Sequence, residues 1–200
     1  MSIELRVGSS GTITTVPQQG FLGYYYFVFS ADYPFFTNMG WINPTDFQTW
    51  SDFIRWTPLG GRRGHRLGAP SIGGQEWGPE STYENIYLDL PNRTIKALLP
   101  IPDSLMGSTF RINVWTGVAR DNSLNPEIYV LDSLGPGLGK DSNDNVAFPL
   151  NKNPYDEFAI REGTGDFVRQ GALESGAPAF DPGHYPDYDM ESVIIRFLTP

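Results

Sequence analysis

The one basic segment of the sequence lies between two tryptophans, Trp56 and Trp77. Its cationic side chains are Arg62, Arg63, His65 and Arg66. Guanidinium groups beside indole rings can bind a carboxylate, a phosphate or an unstacked base. Four glycines, at positions 60, 61, 64 and 68, predict that the segment is a loop. We therefore expect these cations and Trp77 to contact a ligand or a neighbouring subunit, and neutralisation by the chain's own acidic half is the alternative.

A second group of residues has the chemistry of a metal site. Asp181, His184, Asp187 and Asp189 fall within nine residues. Zinc and iron sites commonly use two or more histidines, and the other histidine, His65, is 119 positions away. Prolines at positions 182 and 186 favour an extended segment with separated carboxylates. We expect an exposed acidic loop with no metal, and no cofactor elsewhere; these four residues are the weak candidates for metal ligands.

Motifs for phosphate, calcium or acyl chemistry are incomplete. A Walker loop ending at Gly139 and Lys140 would need glycine where Leu134 stands. The oxygen-rich run 141–145 lacks the following glycine and has Lys152 in place of the bidentate glutamate of an EF-hand. The nearest approach to a nucleophile elbow, 69–73, lacks the first glycine. Paired carboxylates for glycoside cleavage stay open, because spacing in sequence does not give spacing in the fold.

Composition narrows the class of protein. The chain has 200 residues, a formal charge of −9, 22 glycines, 17 prolines and no cysteine. The charge is −1 over residues 1–100 and −8 over residues 101–200. Such an acidic surface argues against binding duplex nucleic acid, whose phosphates need a basic face. The absence of cysteine excludes disulfides, thiolate metal sites and a cysteine nucleophile.

Membrane and secretion signals are also missing from the sequence. The longest apolar stretch, Phe21–Phe29, is far shorter than the ~20 residues of a membrane span. Residues 1–20 contain no apolar core of a signal peptide. We therefore expect no membrane span, and a virion or the cytoplasm is favoured as the location.

Eight segments have the alternation or the β-branched and aromatic content of strands. They are Ile3–Val7, Gly11–Val16, Phe21–Phe29, Tyr83–Leu90, Arg93–Leu99, Thr109–Ala119, Glu127–Leu131 and Ser192–Leu198. Turn residues at 8–10 and 91–92 predict a hairpin between the first two segments and another between the fourth and fifth. The pattern predicts one mainly β domain over residues 1–200, a β-sandwich with a jelly roll favoured and one or two short helices in its connections.

One helix is indicated near the middle of the front half. Asn43 could cap it, Pro44 would occupy its first position, and Phe47, Trp50 and Ile54 would share one face. We expect this face to be buried.

The tyrosine-rich segment Phe21–Phe29 admits two interpretations. Tyr24 and Tyr26 point to one side of a strand, and Tyr25 and Phe27 to the other. Aromatic residues on both faces favour a central strand of the core, whereas exposed rings would form a platform for sugars.

Taken together, these features predict a non-enzymatic structural protein. We expect a β-sandwich subunit or protruding domain of a virus or phage particle, which self-assembles or contacts other particle subunits. A carbohydrate-binding module that uses aromatic platforms for a glycan is the alternative. A hydrolase or another enzyme with an unrecognised site is the third possibility.

Overall fold

The computed structural model describes residues 1–31, 52–65, 79–100, 109–120, 129–134, 146–149, 157–161, 167–168 and 182–197. Within these residues the chain forms antiparallel strands and one 3₁₀ helix, Pro182–Asp187. The strands are β1 Ser2–Val7, β2 Phe21–Ala31, β3 Asp52–Thr57, β4 Gly60–His65, β5 Ser81–Thr82, β6 Ile86–Asp89, β7 Thr94–Leu98, β8 Thr109–Arg120, β9 Tyr129–Leu134, β10 Val146–Pro149, β11 Glu157–Arg161, β12 Phe167–Val168 and β13 Met190–Arg196.

Five strands form a sheet in the order β11-β13-β1-β7-β6. Its central strand β1 alternates between two environments, with Ile3 and Leu5 fully buried and Glu4 and Arg6 on the opposite face. The neighbours β13 and β7 alternate in step, because Leu5 is in register with Val193 and Ile95. Antiparallel sheets commonly show this division into an apolar inner face and a polar outer face.

The remaining strands form a second sheet in the order β12-β9-β8-β2-β3-β4-β5, with β10 also paired to β8. Its longest pairing joins β2 and β8 from Phe21↔Arg120 to Ala31↔Phe110. Both faces of β2 are buried, with Tyr25 and Phe27 at 0% exposure on one face and Tyr24 and Tyr26 at 3% and 2% on the other. The prediction that these aromatic residues belong to the core is confirmed.

The two sheets pack face to face around one apolar core. Tyr25, Phe27 and Ile54 of the larger sheet join Leu5 and Ile95 of the smaller one in the same cluster. The predicted mainly β fold and the β-sandwich are therefore confirmed. The jelly-roll topology and the single domain over residues 1–200 stay predictions. The described residues contain no helix long and apolar enough to span a membrane.

The predicted helix is wrong at its C-terminal end. Asp52–Thr57 is strand β3, in which Ile54 pairs with Phe27 and is fully buried. Phe53 and Ile54 are buried on opposite faces of this strand, and a short apolar run of this kind also fits helical spacing. Residues 43–51, including Phe47 and Trp50, lie outside the described part of the chain.

The first predicted hairpin is also wrong, whereas the second is confirmed. Residues 11–16 are not a strand, and β1 pairs instead with β13 and β7. A Cβ on Gly11 would lie 1.8 Å from the carbonyl oxygen of Pro186, so this segment packs directly against the 3₁₀ helix. Strands β6 and β7 do form a hairpin, with Asp89 opposite Thr94.

Gly23 in β2 makes room for the side chain of Tyr188, and this close approach gives a testable prediction. A Cβ at position 23 would lie 2.6 Å from the Tyr188 hydroxyl oxygen. We expect Gly23→Ala to lower the free energy of unfolding by about 1–3 kcal/mol, the usual cost of overpacking. Urea denaturation measures the loss, and adding Tyr188→Phe should recover part of it. Gly8→Ala is the control, because a Cβ at position 8 would lie 3.4 Å from its nearest neighbour, Asp189 Oδ2. A loss for Gly23→Ala no larger than that for Gly8→Ala would contradict this explanation.

Candidate functional site

The arginine segment is a strand, not the predicted loop. Gly60–His65 forms β4, which pairs with β3 through Ile54↔Arg63 and Arg55↔Arg62. Because neighbouring residues of a strand point to opposite faces, Arg62 and Arg63 cannot converge on one ligand. His65 pairs through its backbone with Asp52, while Arg66 and Trp77 lie outside the described residues. The predicted contact role of these five residues stays a prediction.

The glycines of this strand serve packing. A Cβ on Gly61 would lie 2.4 Å from the Ile86 side chain, and one on Gly64 would lie 2.3 Å from the Phe53 ring. Glycine inside a strand often marks such a close approach. The glycine pattern therefore misled the prediction of a loop, because glycine is used here for its small size.

Most of the positive charge beside this strand is neutralised within the chain. Arg63 Nη2 lies 3.0 Å from Asp52 Oδ1, and its guanidinium carbon is 5.9 Å from the centre of the Tyr83 ring. Arg55 donates from Nε to Glu80 Oε2 at 3.2 Å and sits over the Tyr24 ring at 5.2 Å. These carboxylates belong to the first hundred residues, so the acidic second half is not what balances the two arginines.

Arg62 differs from its neighbours in the hairpin. Its Nη1 donates to Thr82 Oγ1 at 3.1 Å, and it forms no ion pair with a carboxylate of the described residues. Arg62 therefore remains as a partly exposed cation that could meet an anionic surface.

The structure of the acidic segment 181–189 also differs from the predicted loop. Residues 182–187 form a 3₁₀ helix, and Asp187 is only 8% exposed. The exposed, extended loop is therefore wrong for the described residues, and Asp181 lies outside them. His184 Nδ1 is 3.8 Å from Asp187 Oδ2, whereas Asp189 follows the helix and is partly exposed. No cluster of three or more metal-ligating side chains occurs among the residues that the structure describes.

Asp187 holds the segment before β2 against the 3₁₀ helix. Its Oδ1 accepts from the backbone N–H of Thr12 at 2.8 Å and from the Thr12 hydroxyl at 3.1 Å. Its Oδ2 accepts from the Gln18 side-chain amide at 3.0 Å. Both carboxylate oxygens thus have structural partners, which explains why residues 11–18 follow the helix instead of pairing with β1.

Two tyrosines continue this buried polar network into the core. Tyr25 donates its hydroxyl to the backbone carbonyl of Asp187 at 2.9 Å, and the backbone N–H of Thr14 donates to the Tyr25 hydroxyl at 3.0 Å. The Thr14 hydroxyl donates to the Tyr188 hydroxyl at 3.2 Å. Burial raises the pKa of Tyr25 well above its usual range and raises the pKa of Tyr188 to about 12. Both rings therefore stay neutral over the ordinary pH range.

A similar contact joins the two sheets nearby. Asp132 of β9 is 3% exposed, and its Oδ2 accepts from the backbone N–H of Met190 at 2.8 Å. A carboxylate bound in this way orients backbone, whereas a general base needs a free lone pair directed at a substrate. The buried carboxylates Asp132 and Asp187 accordingly have structural roles.

A groove that the sequence pattern does not predict lies on the outer face of the five-stranded sheet. Its volume is about 370 Å³, and its lining includes Glu4, Arg6, Tyr87, Asp89, Asn92 and Lys96. Tyr87 is 50% exposed at the edge strand β6. Alternation in the segment Tyr83–Leu90 indicates only that Tyr87 and Asp89 share a face. The other lining residues lie on strands that come together only through the register of the sheet.

Ion pairs fix several side chains around this groove. Arg196 lies 3.2 Å from Glu4 and 2.7 Å from Glu157, linking β13 to β1 and β11. Glu191 lies 3.7 Å from Arg6 and 3.6 Å from Arg93. The hydrogen bond from Arg196 to Glu157 contributes most to raising the pKa of the Arg196 guanidinium. These pairs connect β1, β11, β13 and the β6–β7 turn on the polar outer face of the sheet.

No family model, curated protein or solved structure matches this chain.

Proposed function

We propose that this protein is a non-enzymatic structural protein, a β-sandwich subunit or protruding domain of a virus or phage particle. It acts in this role through contacts between its surface turns and neighbouring subunits. The observation that carries the proposal is the use of the buried carboxylates: Asp187 orients Thr12 and Gln18, and Asp132 orients the backbone of Met190. These two carboxylates, whose chemistry could serve catalysis, thus stabilise the fold.

Exposed apolar side chains at turns support contacts with neighbouring subunits. Leu59 in the β3–β4 turn is 72% exposed, Leu90 in the β6–β7 turn is 49% exposed, and Val16 before β2 is 63% exposed. Burying such side chains against a partner removes apolar area from water and favours association. Because they stand on separate turns, they suit several small contacts better than one deep ligand pocket.

The alternative of a carbohydrate-binding module lacks support from β2. Tyr24 and Tyr26 stack on each other with ring centroids 5.8 Å apart, and both are almost completely buried. Rings in this environment cannot form a platform for a sugar.

Self-association tests the proposal, and Arg62 offers the sharpest variant. Because Arg62 is a partly exposed cation without a carboxylate partner among the described residues, we expect it to attract an acidic surface of another copy. At low salt the mass from light scattering should rise with concentration to at least twice 22.3 kDa. It should fall in 0.5 M salt, where the screening length is ~4 Å.

Two substitutions with the same change in charge serve as test and control. Arg62→Glu should remove most of the salt-dependent association, whereas Lys96→Glu on the other sheet should leave it unchanged. Arg63→Glu is unsuitable, because it would also leave Asp52 without its ion-pair partner. A wild-type chain that stays monomeric at every concentration and salt would refute self-assembly, and equal effects of both variants would refute the Arg62 contact.

A further inference from the structure

The groove on the outer face of the five-stranded sheet is crossed by two rows of residues in register. One row runs from Tyr87 through Lys96 to Glu4, and the next contains Asp89 and Arg6 on either side of Thr94. Because β6 is the edge strand among the described residues, no described part of the chain closes the groove along that side. Its volume of about 370 Å³ lies within the usual range for sites of small ligands, ~300–1,000 Å³.

The charges that line the groove cancel. Arg6 and Lys96 are cationic, and Glu4 and Asp89 are anionic. Arg6 is paired with Glu191, and Glu4 is paired with Arg196. Lys96 forms no ion pair within the described chain, but Glu4 is its direct cross-strand neighbour and Asp89 its diagonal one. A phosphate or sulfate at Lys96 would therefore meet two carboxylates, which favours an uncharged ligand.

The groups that remain available suit a polyhydroxylated ligand. The Asn92 side-chain amide donates to Asp89 Oδ2 at 2.7 Å, so its own carbonyl oxygen remains as an acceptor. The Lys96 ammonium supplies donors, and each hydroxyl of a sugar can both donate and accept. The half-exposed ring of Tyr87 supplies an apolar face with negative charge density, which attracts the polarised C–H groups of a sugar ring.

We propose that this groove binds a neutral saccharide, with Tyr87 stacking on a sugar ring and Lys96, Asp89 and Asn92 binding its hydroxyls. The open edge at β6 admits an internal segment of an oligosaccharide, whereas a closed pocket would take a single sugar. This site is separate from the buried β2 tyrosines and does not depend on the proposed role in a particle.

Nuclear magnetic resonance titration with neutral hexasaccharides of glucose, mannose, galactose and xylose tests the proposal. We expect at least one of them to shift the backbone amide signals of residues 87–96. The dissociation constant should be on the order of 1 mM, because an open groove leaves much of the ligand in water. Inorganic phosphate should leave these signals unchanged at the same concentration.

Variants at position 87 separate stacking from other contributions. Tyr87→Ala should weaken binding by about tenfold, and Tyr87→Phe should retain it within about threefold, because the ring is kept. Leu59→Ala, at an exposed apolar residue of the other sheet, should bind as the wild type does. The proposal is overturned if no hexasaccharide shifts residues 87–96, if phosphate shifts them equally, or if Tyr87→Ala binds with unchanged affinity. Light scattering reports self-assembly independently, so failure of either proposal is distinguishable from failure of the other.

Discussion

Replacing Asp187 by alanine is expected to lower the free energy of unfolding by about 3–4 kcal/mol. Its carboxylate accepts from the Thr12 backbone, the Thr12 hydroxyl and the Gln18 amide, and hydrogen bonds to a charged group are worth about 1.5–3 kcal/mol each. The sum overstates the loss, because the exposed Thr12 can bind water after the change. Chemical denaturation monitored by far-ultraviolet circular dichroism measures the difference.

Two further variants make this expectation specific. Asp187→Asn keeps one carbonyl oxygen as an acceptor, so it should lose roughly half as much stability as Asp187→Ala. Asp89→Ala removes an exposed aspartate that binds only Asn92 of its own turn among the described residues, and should cost less than about 1 kcal/mol. If Asp187→Ala loses no more than Asp89→Ala, the contact between the 3₁₀ helix and residues 11–18 does not stabilise the fold.

Stability should also fall steeply above pH 10. Burial raises the pKa of Tyr25 and Tyr26 far above their usual value, and that of Tyr188 to about 12. In the unfolded chain these groups ionise near pH 10. Their neutral form therefore stabilises the native state fully below pH 10, and this stabilisation is lost as the pH rises towards 12. Each tyrosine should cost on the order of 1 kcal/mol at pH 11, so the three together should cost a few kcal/mol.

Urea denaturation at pH 8, 9, 10 and 11 measures this alkaline loss. Tyr188→Phe should be somewhat less stable at neutral pH, because Thr14 loses an acceptor, but should show about one third less dependence on alkaline pH. Tyr87→Phe removes the hydroxyl of a half-exposed tyrosine and serves as the matched control. Constant stability from pH 8 to 11 would show that the buried tyrosines ionise as easily in the native state as in the unfolded one.

The strands predicted best were those whose residue types most strongly favour a pleated sheet. Phe21–Phe29 and Thr109–Ala119 consist largely of aromatic and β-branched residues, which fit a pleated sheet. The hairpin of β6 and β7 followed from the short turn between two apolar runs. In these segments, local preference and the final packing agree.

The wrong predictions came from residues whose structure depends on distant partners. Asp52–Thr57 became a strand because β2 and β4 flank it, and nothing within the segment itself reveals those neighbours. Residues 11–16 alternate like a strand, but Asp187, about 175 positions away, binds Thr12 in another conformation. Long-range contacts of this kind override local propensity.

The candidate sites also combine features that the local sequence indicates with features that depend on distant contacts. The sequence pointed to arginines and acidic residues as candidates, but it could not show that Arg63 pairs with Asp52 or that Asp187 is buried. The groove beside Tyr87 combines residues from β1, β6, β7 and β13 with the β6–β7 turn. Only strand order and register bring Glu4 next to Lys96, so single-sequence reasoning had no signal for this site.

The pairing of Ser2 with Arg196 has a consequence for how the chain reaches its native state. Strand β1 lies between β13 and β7, so one of its two hydrogen-bonded edges stays open until residues 190–196 have been synthesised. During translation β1 is therefore a temporary edge strand, exposed to pairing with other nascent chains. Closing a loop of nearly the whole chain is also entropically costly, and such topologies fold slowly. We therefore expect refolding to take milliseconds to seconds, which stopped-flow fluorescence after dilution from urea measures.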